Sequence, residues 1–223
     1  MNKKISASMM CSDVFYTKEV ITALSDKIQF LHIDIMDGIF VPNLGLGIDY
    51  INSLKKNTNI FFDYHLMVSE PDKILPLLDV SSNDIISIHY ESTYQVQRTL
   101  ENVKAKGCKV FLAINPATPI SSLEEVVYYI DGINMLMVNP GFSGQKIVQS
   151  SFKKMEKLYN FLRNEDLYGK LDIEVDGNIS IENAKKLSKL GANIFVCGTA
   201  SIFKKGKIDV DALDLFIKEI INE

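Results

Sequence analysis

The sequence has no tryptophan and only three cysteines, six prolines and three histidines in 223 residues. It also lacks any apolar run near the roughly 20 residues that cross a bilayer as a helix. Each shortage removes a class of protein. Cys11, Cys108 and Cys197 are odd in number and widely spaced, which argues against a disulfide framework or a paired Cys-x-x-Cys metal site, so all three read as buried thiols. Basic charge is not in excess: 24 lysines and arginines face 28 aspartates and glutamates, for a formal net charge of −4. The lysines are interspersed with acids, so no basic face is offered to nucleic acid or to an anionic membrane. The opening Met1-Asn2-Lys3-Lys4 runs directly into a strand-like stretch without the apolar core of a secretory signal, and a cytoplasmic protein is expected. No Pro, Gly or Ser-rich linker or composition step interrupts the chain, which predicts one domain over residues 1–223.

What is present is alternation. Short β-branched or aromatic runs recur between longer amphipathic segments, the pattern of parallel strands joined by helical crossovers. Strands are expected at 4–8, 29–35, 60–66, 84–89, 109–114, 133–138, 171–176 and 193–197. Helices are expected between and after them at 17–25, 49–56, 71–79, 94–106, 121–130, 150–165, 181–190 and 210–221. Ser121 with Glu124 has the spacing of a capping box, and Gly107 and Gly191 stand where helices should stop. Eight such units predict an α/β fold, a single-domain (β/α)8 or TIM barrel. An open doubly wound sheet is the alternative, and it lacks its G-x-G-x-x-G after the first strand.

In a (β/α)8 barrel the reactive groups stand at the carboxyl ends of the strands. Polar residues concentrate there: Ser8, His32 and Asp34, His65, His89, Asp176, and then Gly198 with Thr199. His32 and Asp34 are two apart on one strand and so share a face. With His65 from the next strand and Asp176 from across the barrel they make two imidazoles and two carboxylates, a donor set for zinc or another first-row divalent ion. Any one of these histidines alone reads as an ordinary hydrogen-bonded core residue; their convergence on one end argues for a site. Two aspartates flanking one metal suit removal of a proton beside a carbonyl on one face and its return on the other, which makes an epimer. The metal would hold the developing enediolate charge. Three glycine-containing loops follow the last strands: Gly141-Phe142-Ser143-Gly144, Asp176-Gly177-Asn178 and Gly198-Thr199-Ala200. Backbone N–H groups in such loops approach an anion closely, and a phosphorylated substrate is expected.

These motifs resemble the ribulose-phosphate 3-epimerase family through HIDIMDGIFVPN (32–43), HLMV (65–68), NPGFSGQ (139–145), EVDGN (174–178) and GANIFVCGT (191–199), in collinear order over nearly the whole chain. The resemblance implies a (β/α)8 barrel and metal-dependent epimerisation of a small-molecule sugar phosphate at C3. It implies His32, Asp34, His65 and Asp176 as ligands of one divalent ion, zinc first, with iron, manganese and cobalt as alternatives. Asp34 and Asp176 are then the paired acid and base, Ser8 and His65 contact substrate, and Met36 and Met67 cap the enediolate. Gly141, Phe142, Ser143, Gly144, Gly177, Asn178, Gly198, Thr199 and Ala200 match the segments that hold the sugar phosphate. A homo-oligomer, dimer or hexamer, is implied as well. Two positions depart from the family pattern: Ala7 stands where a proline is usual, and Leu136 takes the place of a methionine, leaving Met135 and Met137 out of phase.

Within the family the residues lean toward the branch acting on D-allulose 6-phosphate, through Met9-Met10-Cys11, Asn178 and the Gly198-Thr199 pair, and away from the pentose branch acting on D-ribulose 5-phosphate. Val138-Asn139-Pro140-Gly141 leans the other way. A lyase on the same scaffold would need a lysine at the carboxyl end of a strand, and none stands there: Lys4 and Lys109 open their expected strands instead. A barrel that only binds sugar phosphate would be expected to have lost one of the four ligand residues, and all four are present.

Overall fold

The computed structural model describes residues 2–222. Eight parallel strands close into a barrel in chain order: β1 (Lys4–Ser8), β2 (Phe30–Met36), β3 (Phe61–Met67), β4 (Ile85–His89), β5 (Lys109–Ile114), β6 (Gly132–Leu136), β7 (Asp172–Asp176) and β8 (Ile194–Cys197). The ring is completed by β1 against β8, with Ala7 opposite Cys197. Around it lie α1 (Thr17–Leu24), α2 (Ile48–Lys56), α3 (Pro71–Ile74), α4 (Val96–Lys104), α5 (Ser150–Asn164), α6 (Ile181–Ser188) and α7 (Val210–Phe216), while a short hairpin of β9 (Phe203–Lys204) and β10 (Lys207–Ile208) follows β8.

The strands are buried on both faces, and their outward residues, covered by the helices, are apolar. Leu31, Ile33 and Ile35 of β2, with Phe62, Tyr64 and Leu66 of β3, belong to the main core cluster, which also includes Leu100 and Val103 of α4 and Met155, Leu158 and Leu162 of α5. The alternate residues point inward. At the amino-terminal end of the strands Phe30, Ile85, Phe111 and Ile194 form a separate buried cluster, the floor of the barrel. Gly132 leaves room for one of these rings: a Cβ there would stand 2.4 Å from Phe111. Above this floor the inward positions become polar. Ser6, His32, Asp63, Ser87, Asn134 and Glu174 are all buried. Ala7 and the out-of-phase Met135 and Met137 belong to the main core cluster, whereas Leu136, which stands in the family methionine's place, lines the pocket at the carboxyl ends of the strands.

Strand bounds agree with the sequence expectation to within two residues, and Gly107 and Gly191 both sit past helix ends at positive φ (78° and 95°). Two helices differ from expectation outright, and a third, expected at 210–221, is α only to Phe216 and continues as a π-helix over Ile217–Ile221. Residues 121–130 form no α-helix but two 3-10 turns, Ile120–Leu123 and Val127–Tyr129. The buried Ile120, Leu123 and Val126, then Val127 and Ile130, are spaced by threes, which suits a three-residue turn. The expected capping box does not form: Ser121 lies inside the first turn, and its carbonyl accepts from the Glu124 N–H. The helix expected at 71–79 shrinks to one α turn and a 3-10 turn, Leu75–Leu77, because Pro76 has no N–H to continue the ladder. Among the described residues no helix is long and apolar enough to cross a membrane.

Candidate active site

The polar inward residues rise in two tiers, each delivered by the period-two geometry of a strand. Ser6 precedes Ser8 on β1, His32 precedes Asp34 on β2, Asp63 precedes His65 on β3, and Glu174 precedes Asp176 on β7. The second residue of the β1, β3 and β7 pairs, and of the β2 pair, faces a pocket at the carboxyl ends of the strands. Ser8, Asp34, Met36, His65, Met67 and Asp176 line it, together with residues 141–144, 177–178 and 198–200. Every residue expected at the site therefore lies on this pocket except His32, which is buried just beneath it. No lysine or arginine lines the pocket among the described residues.

His32, Asp34, His65 and Asp176 each bring a donor atom to within 4.8 Å of the others. His32 Nε2 lies 3.3 Å from Asp34 Oδ1 and 3.7 Å from Asp176 Oδ2, and His65 Nδ1 lies 3.1 Å and 3.7 Å from the same two atoms. A tetrahedral ion with bonds of roughly 2.0–2.1 Å separates its ligands by about 3.4 Å, so these spacings fit one divalent cation. His32 Nε2 is buried and has no hydrogen-bond partner, which fits an atom free to donate to a cation. A second cluster of His32, Asp63 and Glu174 does not suit an ion, since His32 Nδ1 and Asp63 Oδ2 approach to 2.6 Å, the distance of a hydrogen bond.

That hydrogen bond is what orients His32. Asp63 Oδ2 accepts from Ser6 Oγ at 2.7 Å and pairs with His32 Nδ1, which leaves Nε2 facing the pocket. Burial works against charge on His32, but Asp63 and Asp34 outweigh it and hold the imidazole's pKa well above its usual range. Burial likewise opposes ionisation of Asp34, yet His32 beside it holds its carboxyl well below the usual carboxylate range. Asp176 shifts the other way: burial raises it, and the charge of Asp34 adds to that. One aspartate is thus kept ionised while its neighbour is kept protonated more readily, the pattern that separates a base from an acid. Below them Glu174 is pushed far up by burial and by Asp63.

The loops are held by local chemistry. Asp37 accepts from the Ile39, Phe40 and Ser69 N–H groups and from Ser69 Oγ, pinning the segment after β2 against that after β3. Met36, Val41 and Met67 pack together under that segment, with Met10 and Phe40 against them. At Gly177 φ is +107° and a Cβ would stand 2.5 Å from Val138, so only glycine fits there. Asn178 also has positive φ, at 56°, and its amide donates to the Gln145 carbonyl at 2.8 Å, tying the loop after β7 to the loop after β6.

A barrel with carboxylates and imidazoles gathered at the carboxyl ends of its strands has the make-up of an enzyme of the (β/α)8 class. Residues 4–203 match the model of the ribulose-phosphate 3 epimerase family. The chain is 33% identical over 220 residues to the ribulose-phosphate 3-epimerase of Aquifex aeolicus, covering 98% of this chain and 97% of that protein. It is 38% identical over 172 residues to that of Bacillus subtilis (76% and 78% covered) and 37% identical over 180 residues to that of Escherichia coli K12 (80% and 79%). The chain belongs to the ribulose-phosphate 3-epimerase family and is an isomerase of the epimerase kind. Among solved structures, 3-keto-L-gulonate-6-phosphate decarboxylase from Vibrio cholerae superposes with a TM-score of 0.69 at 11% identity, covering 99% of each chain. Phosphoribosyl anthranilate isomerase from Thermococcus kodakaraensis gives 0.66 at 9%, covering 99% of this chain and all of that one. At such identities both show the barrel alone.

Sequence reasoning overlooked Asp63, Glu174 and Ser6, although each stands two residues before a residue it did single out. It also took Cys11 for a buried thiol, whereas Cys11 is half-buried and lines the pocket; Cys108 and Cys197 are buried as expected.

Proposed function

We propose that this enzyme inverts C3 of a phosphorylated 2-ketose, with Asp34 and Asp176 as the paired base and acid and with His32, Asp34, His65 and Asp176 holding one divalent metal ion. The observation that carries the reading is the opposed environment of two carboxylates aimed at one pair of imidazoles: Asp34 held low, Asp176 held high, both within 3.7 Å of His32 Nε2 and His65 Nδ1. When bound, the cation polarises the substrate's carbonyl and hydroxyl oxygens and spreads the charge that develops as the C3 proton leaves. Asp34, ionised, takes that proton; Asp176, protonated, returns one to the opposite face; the roles exchange in the reverse direction. Ser8 Oγ donates to Asp34 Oδ2 at 3.3 Å and steadies the base. Met36 and Met67, buried beside the pair, keep water from the exposed carbon. The glycine loops after β6, β7 and β8 hold the phosphate through backbone N–H groups, in keeping with a pocket lined by no lysine or arginine among the described residues.

The substrate we favour is D-ribulose 5-phosphate, converted to D-xylulose 5-phosphate, because relatives at 33–38% identity are named ribulose-phosphate 3-epimerase and one, at 37%, ribulose-5-phosphate-3-epimerase. D-allulose 6-phosphate, giving D-fructose 6-phosphate, is the second reading, favoured by Met9-Met10-Cys11 beside the pocket and by Asn178 at its phosphate end. A coupled assay of the metal-loaded protein on both substrates, alongside Asp34→Asn and Asp176→Asn, tests this. Turnover of at least one substrate that falls by about 10²–10⁴-fold in each variant is expected. Turnover of neither, or full activity in both variants, overturns the mechanism.

A further inference from the structure

His65 presents Nδ1 to Asp34 and Asp176 and turns Nε2 toward His89 Nε2, 2.8 Å away. His89, at the end of β4, is fully buried, stacks on His65 with ring centroids 5.0 Å apart, and packs against Phe40 at 4.7 Å. Its other nitrogen, Nδ1, lies 3.2 Å from Glu91 Oε2. Glu91 is anchored in turn: Oε1 accepts from the Asn115 N–H at 2.9 Å and from Thr118 Oγ1, both beyond β5.

Two ring nitrogens at hydrogen-bond distance must be one donor and one acceptor. Glu91 decides which is which. With Oε1 already accepting two hydrogens, its carboxylate takes the Nδ1–H of His89, so His89 Nε2 is bare and can only accept. The proton between the rings then belongs to His65 Nε2, and the lone pair of His65 Nδ1 is left facing the two aspartates. We infer that His89 and Glu91 are positioning residues that fix the tautomer of His65 and hold its Nδ1 ready as a metal donor. The arrangement mirrors that at His32, where Asp63 takes Nδ1 and leaves Nε2 to the site. Two carboxylates, one beneath the site and one at its rim, thus set the two histidine ligands through opposite nitrogens. The inference rests on the metal reading above and assigns a role to the His-x-Glu pair at 89 and 91.

The test is Co(II) binding by the full-length metal-free protein, measured by competition with a chromophoric chelator and by the visible d–d spectrum. His89→Phe keeps a ring against Phe40 but offers His65 no acceptor, and is expected to weaken Co(II) binding by about 10–100-fold and to alter the spectrum. His89→Gln places an amide carbonyl near the lost Nε2 and is expected to recover most of that affinity. Wild-type affinity and spectrum in His89→Phe, or an equal loss in both variants, overturns the inference. If His89→Phe fails to fold, Glu91→Gln decides with the ring in place: a several-fold weaker affinity supports the inference and an unchanged one overturns it. A wild-type protein that takes up no Co(II) overturns the metal reading and this inference together, whereas tight wild-type binding matched by His89→Phe overturns this inference alone.

Discussion

Removing the Asp63 carboxylate should damage the site without touching its pocket. Asp63 Oδ2 pairs with His32 Nδ1 at 2.6 Å and accepts from Ser6 Oγ at 2.7 Å, and Ser6, His32 and Asp63 are all fully buried. Asp63→Ala therefore strands two buried donors that no water can reach. A hydrogen bond to a charged group contributes about 1.5–3 kcal/mol, so two bring the gross loss to roughly 3–6 kcal/mol. Part of this returns, because Glu174 is pushed up by burial and then by the charge of Asp63, and losing that neighbour relieves it. The expected net cost is about 2–4 kcal/mol, overlapping the roughly 3–5 kcal/mol found when a buried ion pair loses one partner. Urea unfolding of the metal-free variant should show a lower midpoint at an unchanged slope. Freed from Asp63, His32 no longer holds Nε2 toward the site, and Zn(II) affinity by chelator competition should fall about 10–100-fold. Asp63→Asn should recover more than half of both losses, since one amide carbonyl has two lone pairs for the same two donors. An Asp63→Ala protein within about 0.5 kcal/mol of wild type and with undiminished Zn(II) affinity would refute the argument that this carboxylate orients the ligand.

Two further outcomes follow from the barrel and its rim. Gly132→Ala drives a Cβ to 2.4 Å from the Phe111 ring and should cost about 1–3 kcal/mol in urea unfolding, with Phe111→Leu relieving most of that cost in the double variant; additive losses would show that the contact is not the cause. The Asp37 carboxyl is drawn from 3.8 to about 2: burial opposes this, and hydrogen bonds from the Ser69, Phe40 and Ile39 N–H groups outweigh it. Its contribution is therefore complete above pH 3.8 and is lost as pH falls through about 2. The stability advantage of wild type over Asp37→Asn, read from urea midpoints, should shrink across that window, and an advantage constant with pH would refute it.

Much of the architecture was legible because its causes are local. Parallel strands buried on both faces read as apolar runs, and the two-residue period places His32 with Asp34 on one face whatever the rest of the chain does. Where local patterns misled, a tertiary demand had taken over. The apolar residues between 120 and 130 are spaced for a 3-10 turn, and their burial against the barrel outweighed a capping signal at Ser121 and Glu124. Cys11 resembled a core thiol until the turn after β1 carried it to the pocket.

The sequence by itself determined the order of strands, the end of the barrel at which the polar residues gather, and the four residues with metal-donor chemistry, since each follows from residue type and spacing along one strand. Only the tertiary structure decided which nitrogen each histidine turns to the site, which aspartate is shifted down and which up, and that Asp63 and His89 lie within hydrogen-bond distance of the two histidines. Those properties depend on distances across the barrel. His32 and Asp63 are 31 residues apart in the chain and 2.6 Å apart in space, and a hydrogen bond or a shifted carboxyl pKa is set by the second separation, which no local pattern contains.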